Sequence, residues 1–425
     1  MNRKILIITP RLPYPLFSGG EHAQFYFIEE MMTQMDVSIC FELNSSDYNS
    51  RTDDFSKLKK IWKDVTFYPL INVEQLSEIV KAYRKLKCNM FRVKQSVFKL
   101  VSHQKSEEID SIRYQSLVNQ PFLLCKADFV NHVAGILKKN QFDIIQVEFI
   151  ALAPLVYILP CKSITVLIHH ELRYIRIKRE VDLFDKIEPF DLCRLETIKD
   201  QEISLLERFD KVITLTENDK KILSEYIPSG KIYVSPATIK YDQKQKEVFS
   251  HFRNKLVFIG SSIHLPNREG IKWFINSVMP IIKKEIPDIC LNIFGSWDVS
   301  FIKKYSSEKV RFLGFVEDLT HDFNSALLIV PIRIASGMRL KIIEAINHQV
   351  PFISTTIGVE GLDFENDKDC IIADTPESFA KGIVRLSNDG ARQQGFVSHA
   401  SARLKEKYSF ESAIKKRLDF YKSLS

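Results

Sequence analysis

The sequence of 425 residues predicts an α/β protein built from two halves, each a doubly wound parallel sheet covered by helices. Three observations support this. Short apolar runs alternate with helix-like segments in both halves, which is typical of parallel sheets. The length suits two domains, and 45% hydrophobic with 27% charged residues is ordinary for soluble globular proteins. Glycine and polar residues follow several of the apolar runs, at the strand ends where open α/β sheets bind ligands.

The first half begins with an apolar run at 4–9, which predicts a fully buried strand. A proline-rich loop follows and ends in Gly19-Gly20, and an amphipathic helix is predicted from about 21 to 34. Further strands are predicted at 37–41, 142–148, 164–168, 211–216 and 232–236. We therefore predict a first domain over 1–237, with a helical, basic insertion at about 73–140.

The second half repeats the alternation after a polar stretch, 238–254, which predicts a linker. Strands are predicted at 256–260, 290–295, 310–314, 327–331 and 351–356, with helices between them. We predict a second domain over 255–405, followed by a final amphipathic segment at 406–425.

Several classes of protein are excluded by composition. The seven cysteines are scattered without a C-x-x-C pair, which is typical of reduced thiols in a cytosolic protein. The longest apolar stretch, 149–160, is shorter than the ~20 residues of a membrane-spanning helix. No nucleic-acid-binding signature accompanies the net charge of +7. We expect a cytoplasmic protein that has no nucleic-acid partner.

Segment 81–105 carries eight basic residues interleaved with apolar ones. Two interpretations stay open. The segment is either a solvated basic face of a helix packed on the sheet, or an amphipathic helix lying on an anionic membrane surface. The second would place the protein peripherally on the inner face of the membrane.

The most informative stretch runs from 327 to 346. An apolar strand ends at Pro331, a short loop contains Gly337, and a helix-like pattern follows. The first turn of such a helix offers unpaired N–H groups and the positive end of the helix dipole, which suit an anion. Lys341 and Glu344 are three residues apart and therefore lie on one face. A phosphate could meet Arg339 or Lys341, and a sugar hydroxyl could meet Glu344.

The passage from 336 to 362, SGMRLKIIEAINHQVPFISTTIGVEGL, resembles the nucleotide-sugar-binding signature of the family 4 glycosyltransferases. Supporting segments follow the same order: PRLPYPLFSGG near the start, then FIGSSIHLPNREGIKWF and LNIFGS. The resemblance implies the GT-B fold, in which two Rossmann-like domains face a central cleft. It also implies that the final helix crosses back to the first domain.

The resemblance further implies a site for a UDP- or GDP-sugar, the donor substrate. Its expected donor-binding residues are Gly19, Gly20, Gly260, Ser261, Asn267, Arg268, Arg333, Ser336, Gly337, Met338, Arg339, Lys341 and Glu344. Glu344 matches the second glutamate of the family's E-x7-E motif, which contacts the ribose. Ser336 stands where the first glutamate is expected, so backbone amides of 336–338 are the alternative contact to the transferred sugar.

Two adjacent histidines, His169 and His170, follow the strand at 164–168. A metal site is not expected from them, because adjacent side chains in a strand point to opposite faces. The alternative interpretation is that one of them is an ordinary buried or loop histidine. The resemblance implies that a histidine here sits against the transferred sugar, and both residues are candidates for a catalytic role together with Glu344.

The resemblance implies a retaining glycosyltransferase, and we expect it to act without a metal or cofactor. Its acceptor would be a glycan or a lipid-linked molecule in the synthesis of a surface polysaccharide or glycolipid. Two alternatives remain: a catalytically silent subunit that binds nucleotide sugars, and a GT-B nucleotide-sugar epimerase.

Overall fold

The computed structural model describes residues 2–16, 19–44, 48–72, 117, 123–240 and 250–424. Segment 81–105 and residues 241–249 of the predicted linker lie outside these ranges, so what the sequence predicts for them stays a prediction. The chain divides into two compact units. The first comprises Met1–Leu12, Asp36–Leu167 and Arg173–Asp210, and the second comprises Pro13–Met35, Ile168–Leu172 and Lys211–Ser425. The domain boundaries predicted from the sequence are a different division and stay a prediction.

The first sheet has seven strands in the order β3-β2-β1-β4-β5-β6-β7. They are β1 (Arg3–Ile8), β2 (Met35–Asn44), β3 (Thr66–Asn72), β4 (Ile144–Glu148), β5 (Ile164–His169), β6 (Lys211–Thr214) and β7 (Ile232–Val234). β1 and β4 pair in parallel, with Ile5 opposite Ile144. The predicted strands are confirmed, and β3 is an addition that the sequence did not indicate.

The second sheet has six strands in the order β10-β9-β8-β11-β12-β13. They are β8 (Lys255–Ile259), β9 (Cys290–Phe294), β10 (Val310–Gly314), β11 (Ala326–Val330), β12 (Phe352–Ser354) and β13 (Ile371–Ile372). Counted from β8, this order is 3-2-1-4-5-6, the doubly wound arrangement that binds ligands where the strand order reverses. That reversal lies between β8 and β11, which pair with Leu256 opposite Leu327.

Helices connect the strands, as parallel pairing requires. The α-helices in the described ranges begin with α1 (Gly19–Met32), α2 (Tyr48–Ile61), α3 (Ala127–Lys139), α4 (Arg173–Val181), α5 (Pro189–Leu206), α6 (Glu217–Leu223), α7 (Leu265–Trp273), α8 (Met279–Glu285) and α9 (Val299–Tyr305). They continue with α10 (Thr320–Phe323), α11 (Leu340–Asn347), α12 (Thr356–Val359), α13 (Pro376–Ser387), α14 (Gly390–Lys407) and α15 (Phe410–Ser423). A π-helical turn, Phe274–Val278, joins α7 to α8, and Ile150–Ile158 and Ser229–Lys231 are 3₁₀ helices. Within the described ranges, no helix has the length and apolar character to cross a bilayer.

Local sequence explains where several helices begin. Thr216, Thr355 and Thr375 are N-cap residues whose side chains accept a hydrogen bond from a backbone N–H in the first turn. Such a cap stabilises a helix by about 1 kcal/mol. The final helix, α15, packs on α1 inside the second unit. Tyr421 lies against Phe27 with ring centroids 5.8 Å apart, and the Arg417 guanidinium lies 3.8 Å from the same ring.

The predicted strand, loop and helix at 327–346 are confirmed. All residues of β11 are buried, which fits a strand covered on both faces. Helix α11 begins at Leu340, with Arg339 as its N-cap residue, and buries Ile342, Ile343 and Ile346. This packing fixes the loop 331–339 at the carboxyl end of β11, beside the reversal of strand order.

Candidate active site

The predicted donor residues lie within the second compact unit, on loops that follow strand ends and on helices. The loop 331–339 follows β11, and the loop 260–264 follows β8, so the two flank the reversal of strand order. Residues 170–172 follow β5 and residues 215–216 follow β6. The carboxyl ends of parallel strands are where ligands bind in such sheets.

Ser336 and Gly337 hold the loop after β11 in contact with the loop after β5. The backbone N–H of Leu172 donates a hydrogen bond to the Ser336 Oγ at 2.9 Å. Gly337 has a φ of +77°, and a Cβ at this position would collide with the His170 carbonyl oxygen. Gly337 thus permits a close approach of the backbone to the main chain of His170. Its contact with a donor stays a prediction.

Arg339 binds the loop that precedes α11. Its guanidinium donates from Nη1 to the carbonyl oxygens of Ser336 and Gly337, both at 2.6 Å, and from Nη2 to that of Ile357 at 2.8 Å. Arg339 is 8% exposed, and the neighbouring Met338 packs against the core of the second sheet. These bonds show that Arg339 shapes the loop. Its role toward a phosphate stays a prediction.

Lys341 lies in the first turn of α11. Its Nζ donates to the Asn267 Oδ1 at 3.1 Å and lies 4.0 Å from the centre of the Phe258 ring. Asn267 in turn donates to the carbonyl of Ser261 at 2.9 Å, so these three predicted residues meet beside Gly260. Burial of the ammonium, together with repulsion from Arg339, lowers the pKa of Lys341 to about 7, although Glu344 opposes this. The lysine is therefore poised to gain a proton when an anion approaches.

Glu344 lies one turn further along α11 on the same face. Burial raises the pKa of its carboxyl group, while His348 and Lys341 lower it. The electrostatic interaction between Lys341 and Glu344 agrees with the shared face that their spacing predicted. The pair offers one cation and one hydroxyl acceptor beside the reversal of strand order.

Two predicted arginines have acidic partners. The Arg268 Nη1 lies 3.1 Å from the Asp298 Oδ2. The Arg333 guanidinium pairs with Glu269 and lies 5.2 Å from the centre of the Trp273 ring. Burial raises the pKa of Glu269, and the hydrogen bond and charge of Arg333 lower it. Both arginines are thus engaged within the protein, and their contact with a diphosphate stays a prediction.

Gly19, the first residue of α1, lies against Leu340 at the start of α11. A Cβ on Gly19 would lie 2.8 Å from the Cβ of Leu340, so only glycine allows this approach. Gly20 is exposed. The structure thus brings the N-terminal glycine loop to the same helix that carries Lys341 and Glu344.

The two histidines have different surroundings. His169 is 1% exposed, and its charge favours the ionised form of a buried acid, Asp219. His170 is half-buried and presents its carbonyl oxygen to Gly337. Neither belongs to a cluster of three or more potential metal ligands, since the described residues contain no such cluster.

Asp219 is the site residue that the sequence did not single out. It lies in the first turn of α6, is 3% exposed, and accepts a hydrogen bond from the Ser336 Oγ at 3.3 Å. Its neighbour Asn218 donates to Glu360 at 3.1 Å. The sequence signal that could have indicated Asp219 is the polar run that follows β6. Its contact with Ser336 could not be predicted, because the two residues are distant in the sequence.

The chain is similar to known proteins in part of its sequence and over nearly its whole length. Residues 253–389 match the family model described as "Glycosyl transferases group 1". An uncharacterised 44.6 kDa protein in the cps region of Klebsiella pneumoniae is 23% identical over 432 aligned residues, covering 95% of this chain and 96% of that protein.

Solved structures are similar over nearly the whole chain. TarM matches with a TM-score of 0.67 and 14% identity, covering 99% of each chain. Sucrose-phosphate synthase of Thermosynechococcus elongatus also has a TM-score of 0.67 and 14% identity, with 99% of each chain covered. HepE of Anabaena in complex with UDP-glucose has a TM-score of 0.61 and 13% identity, with 99% of this chain and 100% of that chain covered.

At these identities the structural likeness shows the fold. Together with the order of the two sheets, it confirms two Rossmann-like domains of parallel strands. The chain has the GT-B fold, and its residues 253–389 match the group 1 glycosyl transferases.

Proposed function

We propose that the chain is a glycosyltransferase that moves a sugar from a nucleotide-diphosphate sugar to a glycan or lipid-linked acceptor. The observation that carries the proposal is the Lys341–Glu344 pair on α11, beside the reversal of strand order in the second sheet. It lies within the segment that matches the group 1 glycosyl transferases. A desolvated cation and a carboxylate on one helix face suit a diphosphate next to a ribose.

In this proposal the diphosphate is the leaving group. Charge develops on it as the glycosidic bond breaks, and preorganised positive groups stabilise that charge. Lys341 supplies the cation, and the N-terminal amides of α11 supply partial positive charge. Glu344 accepts hydrogen bonds from the ribose hydroxyls. The reaction is proposed to retain the anomeric configuration and to need no metal or cofactor, with the leaving phosphate taking the proton of the acceptor.

The relatives support the substrate classes. One similar structure is TarM in a complex with UDP and α-GlcNAc-glycerol, and another is HepE with UDP-glucose. The relative from Klebsiella pneumoniae comes from a cps region. We therefore propose a UDP- or GDP-sugar as donor and a surface polysaccharide or glycolipid as product. Cytoplasmic location, with attachment to the inner membrane face through 81–105, belongs to the same proposal.

A second candidate is a silent subunit that binds a nucleotide sugar without transferring it. Ser336 favours it, because this serine stands where the family resemblance expects a glutamate. Such a subunit would bind donor but neither transfer its sugar nor hydrolyse it.

The test is to incubate the full-length protein with UDP- and GDP-sugars and with glycan and lipid-linked acceptors, and to follow the release of nucleoside diphosphate. The proposed enzyme would be supported if the wild type transfers sugar and Glu344→Ala does not, while both proteins melt at the same temperature. Glu285→Ala is the matched control, because Glu285 is an exposed glutamate on α8. Full turnover by Glu344→Ala would contradict the assigned role. Donor binding without release by the wild type would favour the silent subunit.

A further inference from the structure

Asp219 is a buried acid, and one of its two carboxylate oxygens has no hydrogen-bond partner among the described residues. Its Oδ1 accepts a hydrogen bond from the Ser336 Oγ at 3.3 Å. Its Oδ2 is buried and makes no hydrogen bond within the part of the chain that the structure describes. A buried carboxylate oxygen that lacks a donor is unfavourable, so such a group calls for an explanation.

The surroundings of Asp219 connect three strand ends. It lies just after β6, Ser336 lies in the loop after β11, and His169 is the last residue of β5. Burial raises the pKa of Asp219, the Thr216 side chain and the charges of His169 and Arg339 lower it, and Glu360 raises it. His169 and Arg339 thus favour the ionised form of Asp219, which burial disfavours.

The Ser336 hydroxyl is already engaged twice at this place. Its Oγ already accepts a hydrogen bond from the Leu172 N–H at 2.9 Å, and its own proton is directed to Asp219. The Ser336 hydroxyl therefore links the backbone N–H of Leu172 to the Asp219 carboxylate through two hydrogen bonds. Beside this hydroxyl, the Asp219 Oδ2 is an acceptor that receives no hydrogen bond from the described residues.

We propose that the Oδ2 of Asp219 accepts a hydrogen bond from a hydroxyl group of the transferred sugar, with Ser336 holding the carboxylate in place. This inference rests on the proposed function. A sugar hydroxyl supplies the missing donor, and the carboxylate discriminates between a sugar that presents a hydroxyl here and one that does not. Asp219 is thus a specificity-determining residue for the sugar, and it makes no contact with the nucleotide.

The test compares two ligand types on the same protein. Dissociation constants are measured by calorimetry for UDP, GDP and ADP, and for UDP-glucose, UDP-N-acetylglucosamine, GDP-mannose and ADP-glucose. In Asp219→Asn an NH2 group, which donates but cannot accept a hydrogen bond, replaces one carboxylate oxygen, and the negative charge is lost. A hydrogen bond to a charged group is typically worth about tenfold to hundredfold in affinity. We expect Asp219→Asn to weaken binding of the preferred nucleotide sugar by about that factor and to leave binding of the matching nucleoside diphosphate unchanged.

Glu217→Gln is the matched control, because Glu217 lies in the same turn of α6 but is exposed. It should leave both affinities unchanged. If Asp219→Asn weakens the binding of both ligand types equally, Asp219 has a purely structural role. If it weakens the binding of neither, the Oδ2 is hydrogen-bonded by a bound water and not by the sugar. Either result would overturn the inference.

Two further measurements separate the remaining outcomes. If Asp219→Asn does not fold, Ser336→Ala is measured in its place. It removes the hydroxyl that holds the carboxylate, so it should weaken binding of the nucleotide sugar several-fold relative to binding of the nucleoside diphosphate. An unchanged ratio of the two affinities would refute the proposal. If the wild type binds none of these nucleotides or nucleotide sugars, the proposed function itself fails, and the inference that rests on it falls with it.

Discussion

Lys341 makes donor binding depend on pH in a way that can be measured. Its pKa is lowered to about 7 by burial and by repulsion from Arg339, so the free protein holds a mixture of charged and neutral lysine at neutral pH. A diphosphate binds the charged form better. Binding should therefore be accompanied by proton uptake, and affinity should fall as pH rises through about 7.

The size of the effect follows from the pKa. A group with a pKa of about 7 is about nine-tenths charged at pH 6 and about one-tenth charged at pH 8. If only the charged form binds well, affinity falls about tenfold over this range. UDP-glucose is a suitable ligand, because its phosphates are esterified and lack the proton that a terminal phosphate loses near pH 6.

The assay is calorimetric titration between pH 6 and 8 in buffers of different ionisation enthalpy, which reports protons taken up per ligand bound. Lys341→Arg keeps its charge throughout and should give a flat profile. Lys283→Met removes an exposed lysine on α8 and should keep the wild-type profile. A wild-type affinity that does not change with pH, without proton uptake, would refute the argument that Lys341 is desolvated and faces the diphosphate.

Three further predictions concern α11 and its preceding loop. Glu344→Gln should abolish transfer yet melt no lower than the wild type at pH 7, because burial has raised the pKa of this acid and disfavours its charged form; a large drop in melting temperature would contradict this. Gly337→Ala should cost about 1–3 kcal/mol in urea unfolding, since its φ is +77° and a Cβ would meet the His170 carbonyl oxygen. Gly135→Ala, in the middle of α3 with open space around it, should instead be neutral or stabilising. Arg339→Met should cost roughly 2–5 kcal/mol, because carbonyl oxygens in the loop lose a charged donor; unchanged unfolding would show that these bonds are dispensable.

The sequence predicted most of the fold because its strands are continuous apolar runs. β11 and β12 are buried throughout and are bounded by polar or proline residues, so the pattern is plain. β3 was missed because it contains Pro69, which normally argues against a strand. The strand lies at the edge of the sheet, where a missing N–H is tolerated. β13 has only two residues, too few for any pattern.

The site was predicted less completely, because spacing does not reveal which way a side chain turns. The shared face of Lys341 and Glu344 follows from helical geometry and could be predicted. Arg339 could as well have faced a ligand, and only the folded loop shows its bonds to carbonyl oxygens. Asp219 and Ser336 are 117 residues apart, so their contact depends on the packing of separate strand ends.

The donor site proposed above lies at α11 in the second unit and would bind a nucleotide-diphosphate sugar. The most direct test is a thermal-shift screen of the wild type and Glu344→Ala against UDP, GDP, ADP and their common sugar conjugates. A ligand that binds only the folded state stabilises it by about 2.7 kcal/mol at a hundred times its Kd. We expect one nucleotide series to raise the melting temperature of the wild type, and we expect Glu344→Ala to lose this rise. A wild type that none of these ligands stabilises, or an equal rise in Glu344→Ala, would contradict this expectation.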